Sequence, residues 1–119
     1  MNTHKDLIVW KKGIELVKNI YLITNGFPKS EQLGLVSQMR KCVISIPSNI
    51  AEGCGRNSDK ELIYFLNIAL GTSAELETLI IISVELNFLG NEKTHECLSL
   101  LNEIIIMITS LIKSVKTHN

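Results

Sequence analysis

The chain has 119 residues, 12 basic side chains against 12 acidic ones, 45% hydrophobic and 20% charged residues, and no net formal charge at pH 7. That length supports one domain, residues 1–119, with a core of moderate size; the charge balance excludes a polybasic nucleic-acid coat, and 17 Ile with 16 Leu exclude disorder. With 2 Pro and 7 Gly there is too little turn chemistry for a many-stranded sandwich or barrel, which leaves an all-α fold.

Leu7, Trp10, Ile14, Val17 and Tyr21 recur at steps of three and four, predicting a first helix from Asp6 to Thr24 with these residues inward. Asn25-Gly26 ends it, and Phe27-Pro28 prevents its immediate resumption. A second helix is expected from Ser30, an N-cap residue followed by Glu31, with Leu35, Met39, Val43, Ile46 and Ile50 on its apolar face. Pro47 falls inside that pattern and removes the hydrogen bond to the Val43 carbonyl, so a kink is expected there, while Gly53 and Gly55 mark the end. Ser58 and Glu61 have capping-box spacing and open a third helix, Asp59 to Leu89, with Leu62, Phe65, Ala69, Leu76, Leu79 and Leu86 on one side. Gly90-Asn91 closes it. The fourth, Glu92 to Lys116, presents Leu98, Leu101, Ile105, Ile108, Ile112 and Val115 without interruption by Gly or Pro. Long helices with short connections predict an antiparallel up-down-up-down four-helix bundle, its second helix kinked at Pro47.

Two helices carry more apolar surface than one stripe requires. Val9, Leu16, Ile20 and Ile23 form a second seam on the first helix, and Cys97, Leu100, Ile104, Met107 and Leu111 form one on the fourth. A wide apolar arc left facing water calls for another subunit, so a homo-oligomer is expected; the competing reading is a thick core in a small bundle.

Charge is unevenly divided, with a net +4 over residues 1–58 and −4 over residues 59–119. A positive side built by the first two helices can attract an RNA backbone, with Lys11, Lys12, Arg40, Lys41 and Arg56 as candidate nucleic-acid contacts. The plainer reading is a solvated surface on which neighbouring helices pair their charges.

Gln38, Ser45, Asn49, Glu52 and Arg56 form a polar line on the second helix, and Asn67, Gly71, Thr72, Glu75 and Thr78 form a comparable one on the third. Gly71 would let a neighbouring helix or side chain approach. Of these, Gln38, Ser45, Asn49, Glu52, Gly71, Thr72 and Glu75 are candidates for a hydrogen-bonded network that fixes helix register within the bundle or between subunits, or for a functional surface.

Catalysis finds little support. His4, His95 and His118 lie near chain ends or a helix start, the Glu92-Lys93-Thr94-His95 spacing occurs once where a di-iron bundle needs it twice, and Gly53-Cys54-Gly55-Arg56 is too short for a phosphate loop. No enzyme activity, metal, cofactor or small-molecule substrate is expected. Cys42, Cys54 and Cys97 include no C-x-x-C pair and read as buried free thiols. The polar N-terminus lacks a secretory core, and the longest purely apolar stretches, Leu79 to Ile82 and Ile104 to Ile108, fall short of the ~18 residues that span a bilayer. A cytoplasmic protein without a membrane partner is expected.

Asp6-Leu7-Ile8-Val9-Trp10, Ile20-Tyr21, Phe27-Pro28, Gly34-Leu35 with Gln38, and Ser45-Ile46-Pro47-Ser48-Asn49-Ile50-Ala51-Glu52-Gly53 with Gly55-Arg56 resemble a known four-helix-bundle family. It is the family encoded in intervening sequences of bacterial 23S ribosomal RNA genes. Phe65-Leu66, Ala69, Gly71-Thr72 and Ala74-Glu75-Leu76-Glu77-Thr78 are similar to its third helix, and the matching segments run from about residue 5 to 90. The resemblance implies assembly as a ring, a pentamer, and similarity to the accessory protein of diversity-generating retroelements, which binds nucleic acid and a reverse transcriptase. The family also carries a ribosomal-protein label, although a gene inside an rRNA insertion need not encode a ribosome component. Relative to the family pattern, Lys41 stands for an arginine, keeping the charge but losing the bidentate fork, Thr72 stands for a serine, and Leu70 for a basic residue and Leu79 for a glutamine make two polar contacts apolar. The resulting expectation is a non-enzymatic oligomer binding structured RNA or a ribonucleoprotein through the basic side of helices one and two. The alternative is a protein-interaction scaffold that binds no nucleic acid.

Overall fold

In the computed structural model, which describes residues 3–117, the chain opens on a reciprocal cap. The Thr3 hydroxyl accepts from the Lys5 N–H at 3.2 Å and the Asp6 carboxylate accepts from the Thr3 N–H at 3.0 Å, holding His4–Asp6 in a single 3-10 turn. Four helices follow: α1 (Ile8–Thr24), α2 (Ser37–Cys54), α3 (Asp59–Glu85) and α4 (Asn91–Thr117). No strand occurs among the described residues. Each helix packs on its neighbour in sequence, α1 also packs on α4, and the α2–α3 contact is the most extensive. The connections at residues 55–58 and 86–90 are short, as suits antiparallel neighbours, and the bundle measures 47 × 23 × 21 Å.

Several helix ends differ from the sequence expectation. α2 does not start at Ser30: a 3-10 turn (Lys29–Glu31) and a π turn (Gln32–Val36) precede it, with Gly34 outside helical geometry at φ −109°, ψ −105°. α3 stops at Glu85 rather than Leu89, because Asn87 adopts the left-handed conformation (φ 63°). The Asn87 N–H then reaches the Val84 carbonyl and the Phe88 N–H the Ser83 carbonyl, both at 2.9 Å, which satisfies the end of the helix in a Schellman motif. Leu86, placed inward by periodicity, is therefore exposed. At the α3 start the Ser58 hydroxyl accepts from the Glu61 N–H at 3.1 Å and donates to the Glu61 carboxylate at 3.2 Å; the reciprocal half of the box, from the Ser58 backbone, is not made. α2 runs through Pro47, which is buried.

One continuous core joins the four helices. The α2 face is as expected: Leu35, Met39, Val43, Ile46 and Ile50 are buried. The α1 face is reversed. Val9, Leu16, Ile20 and Ile23 point inward, whereas Trp10, Ile14 and Val17 are half-buried and Tyr21 is exposed. Two seams of similar apolar content look alike by period; Gly13 decides between them. It lies in the inward stripe, where a Cβ would stand 3.2 Å from Pro47 Cβ, so its bare backbone lets α1 close on α2. On α4 the two seams merge: Cys97, Leu100, Leu101, Ile104, Ile108 and Ile112 are all buried, as the thick-core reading anticipates. Among the described residues Thr24, Ser73 and Ser83 are the buried polar ones, each donating its hydroxyl to the carbonyl four residues earlier at 2.6, 2.8 and 2.8 Å.

By length and composition alone α3 and α4 are each apolar enough to cross a membrane. Only 33% and 28% of their apolar windows are buried inside the chain, so both helices keep apolar surface beyond the core.

Candidate subunit and nucleic-acid interface

Three of the five basic candidates have polar partners within the chain. Lys12 turns to α4, where its Nζ lies 2.8 Å from Glu103 Oε2. That hydrogen bond, and after it the charge of Glu103, raises the Lys12 pKa. Arg56 sits just past α2 with Nη2 2.8 Å from Glu52 and Nη1 3.8 Å from Glu61, its guanidinium 5.0 Å from the centre of the Phe65 ring. Arg40 is drawn inward: Nε donates to Thr24 Oγ1 at 3.0 Å, and Nη2 donates to Asn25 Oδ1 at 3.0 Å and to the Tyr21 carbonyl at 3.4 Å. It also stacks 4.3 Å from the Tyr21 ring centre. A guanidinium here meets the carbonyl-rich end of α1, where a cation is favoured and a planar fork is needed. Lys11 and Lys41 form no ion pair among the described residues.

The polar candidates are partly gathered. Gln38, Lys41, Cys42 and Ser45 of α2 face Thr72 and Glu75 of α3 across a groove of about 350 Å³. Gln38 and Glu75 are exposed and Ser45 and Thr72 half-buried, so within one chain this is a solvent-lined groove. Asn49 serves its own helix, its Nδ2 donating to the Ser45 carbonyl at 2.8 Å and Oγ at 2.9 Å. Glu52 is held by Arg56. Gly71 is open, since a Cβ built there meets nothing within 4 Å, and no element of this chain uses the approach that it permits.

Periodicity alone did not single out Cys42, although it stands four residues after Gln38 and three before Ser45 on the same line. Burial pushes its thiol up to about 12, helped by its hydrogen bond to the Glu75 carboxylate and by the charge of Glu75. Cys97 is pushed up to about 11 by burial and Glu96, and burial raises Cys54 as well. None of the three is a poised nucleophile. A different surface joins α1 to α2: Trp10, Ile14, Val17, Ile44, Pro47 and Ala51 line a shallow apolar depression. The His4 ring meets Trp10 edge-on at 5.2 Å and borders it.

The profile of the 23S rRNA-intervening sequence protein family matches residues 5–110, which takes in α1, α2, α3 and most of α4. The chain belongs to that family. The match reaches beyond residue 90, so the fourth helix, legible in the sequence only by its apolar character, falls within the family's pattern too. Lys11, Lys12, Arg40, Lys41, Arg56 and the residues lining the α2–α3 groove lie inside the matched span. Among curated proteins none matches this chain.

Proposed function

We propose that this member of the 23S rRNA-intervening sequence family is a non-enzymatic, cytoplasmic helical module that works by protein association, first of all with further copies of itself. The observation that carries the reading is the apolar depression between α1 and α2, where Trp10, Ile14 and Val17 are half-buried and Ile44 is 43% exposed. Contiguous apolar surface of this kind is unfavourable in water and is covered when a second protein docks. Three of the five candidate RNA contacts, Lys12, Arg40 and Arg56, already serve partners within the chain, which supports protein over phosphate as the main ligand.

Structured RNA or a ribonucleoprotein is the second reading. It draws on the family's link to 23S rRNA and on the positive first half of the chain, and it would use cations such as Lys11 and Lys41. Light scattering coupled to size exclusion, with and without bacterial RNA at two salt concentrations, separates the two. Association predicts a mass several times 13.3 kDa that ignores RNA; an RNA-shifted species that sheds RNA at high salt would favour the second reading. A mass of one chain under all conditions, with no RNA bound, would refute both.

A further inference from the structure

The groove between α2 and α3 has charges and hydrogen-bonding groups that the chain itself leaves largely unused. Gln38, Lys41, Cys42 and Ser45 of α2 and Thr72 and Glu75 of α3 line it, with no aliphatic or aromatic side chain among them. Among the described residues, the side chains of Gln38, Lys41 and Thr72 make no hydrogen bond or ion pair. Ser45 Oγ accepts from Asn49 Nδ2 at 2.9 Å and keeps its own hydrogen to donate. Glu75 has no cationic partner among the described residues; its carboxylate accepts from the buried Cys42 thiol.

Lys41 and Glu75 carry opposite charges and line the same groove, yet they form no ion pair with each other. Each stands on a helix, and α2 and α3 share the most extensive contact in the bundle, so the spacing of the two walls is set by the core. That pattern selects a ligand by charge. A phosphate meets Glu75 as well as Lys41, a metal cation finds a single carboxylate beside an ammonium, and an apolar molecule would cover the charges without pairing them. A molecule with one ammonium and one carboxylate pairs with both walls and adds no net charge. The groove volume of about 350 Å³ lies at the lower end for small-molecule sites, which suits a ligand of amino-acid size. Gly71, one turn before Glu75 on the same face, adds no side chain to the rim, and a Cβ built there meets nothing within 4 Å.

From this arrangement we infer that the α2–α3 groove binds a free α-amino acid, whose carboxylate pairs with Lys41 and whose ammonium pairs with Glu75. Gln38, Ser45 and Thr72 supply further hydrogen bonds to the two charged ends, and the ligand's side chain leaves over the open rim at Gly71. The inference rests on neither self-association nor RNA binding. It assigns Lys41 to a carboxylate rather than to a phosphate, and it departs from the sequence-based expectation of no small-molecule ligand.

The test is saturation-transfer difference NMR on the full chain, with the free protein-forming L-amino acids as probes, each beside its N-acetyl and α-amide derivatives. Transfer to one or more free amino acids is expected. Both derivatives of a bound amino acid should bind about tenfold more weakly or worse, since acetylation removes the ammonium and amidation removes the carboxylate. Lys41→Met and Glu75→Gln, both at exposed positions, should each weaken binding by about tenfold or more, whereas Lys11→Met on α1 should leave it unchanged. Circular dichroism verifies the helices of each variant, and the comparison of derivatives on the wild-type chain remains decisive where a variant fails to fold. Absence of transfer to every free amino acid overturns the inference. Binding that survives acetylation or amidation overturns the zwitterionic ligand, and binding that neither Lys41→Met nor Glu75→Gln changes overturns the groove as its place.

Discussion

Gly53→Ala tests how tightly α2 and α3 are held together. A methyl group there would lie 3.0 Å from Phe65 Cβ, 3.1 Å from Leu62 Cδ1 and 3.3 Å from the Leu62 carbonyl oxygen, each inside ordinary contact distance. Leu62 Cδ1 can rotate away. Phe65 Cβ and the Leu62 carbonyl cannot, because both are fixed to the α3 backbone, so the helices must separate by a few tenths of an ångström along their most extensive contact. Overpacking of this type costs about 1–3 kcal/mol, and the gain in helix propensity offsets at most about 1 kcal/mol. A net loss of about 1–2 kcal/mol is expected. For a chain of 119 residues it lowers the melting temperature by roughly 4 °C per kcal/mol, about 4–8 °C in all. Thermal unfolding followed by far-ultraviolet circular dichroism measures it directly. An unchanged or higher midpoint would show that α2 and α3 are not in the close contact described, and the reasoning from Gly53 would fail.

Other expectations concern the ends of the helices and the thiols. Arg40→Ala should destabilise the fold by about 1–3 kcal/mol by stripping charge-assisted hydrogen bonds from the end of α1, and Arg40→Lys should rescue little because an ammonium lacks the fork; chemical denaturation that finds Arg40→Ala as stable as wild type would free Arg40 for a binding role. Asn87→Ala should lower stability by about 1 kcal/mol, since its left-handed backbone disfavours a plain Cβ, while Asn87→Gly should leave it unchanged or raised; equal effects of the two would contradict the αL cap in a urea titration. The folded thiols of Cys42 and Cys97 have pKa values of about 12 and about 11 against an ordinary 9.0, so their contribution is complete below pH 9 and is lost as pH rises from there toward those values. Each then removes at most about 1.4 kcal/mol per pH unit. Urea midpoints at pH 8, 9 and 10 should fall over the upper interval and fall less in the Cys97→Ala chain; a flat profile would mean that the thiols are not protected.

The helices were legible as local objects. A 3.6-residue apolar period, Asn25-Gly26 after α1, and Ser58 with Glu61 before α3 are decided within a few residues of chain, which is why four helices, the α2 core face and the Ser58 cap could be read without coordinates. The polarity of the chain was equally legible, because it needs only a count. What periodicity could not choose was which of two apolar seams on α1 turns inward. That choice belongs to the neighbours: Gly13 meets Pro47 thirty-four residues later, and only the stripe containing Gly13 lets α1 approach α2 so closely. The same holds for the charged residues. Lys12 finds Glu103 and Arg40 finds Thr24 and Asn25 across the bundle, contacts that no local pattern announces, so a list of cations that reads as one binding face in the sequence becomes partly a set of internal fastenings. Gly53 and Gly71 make the point most simply. Both lie on helices with the same freedom of backbone, yet one is pressed against α3 and the other faces open space, a difference set by packing between distant segments rather than by either residue's own neighbours in the chain.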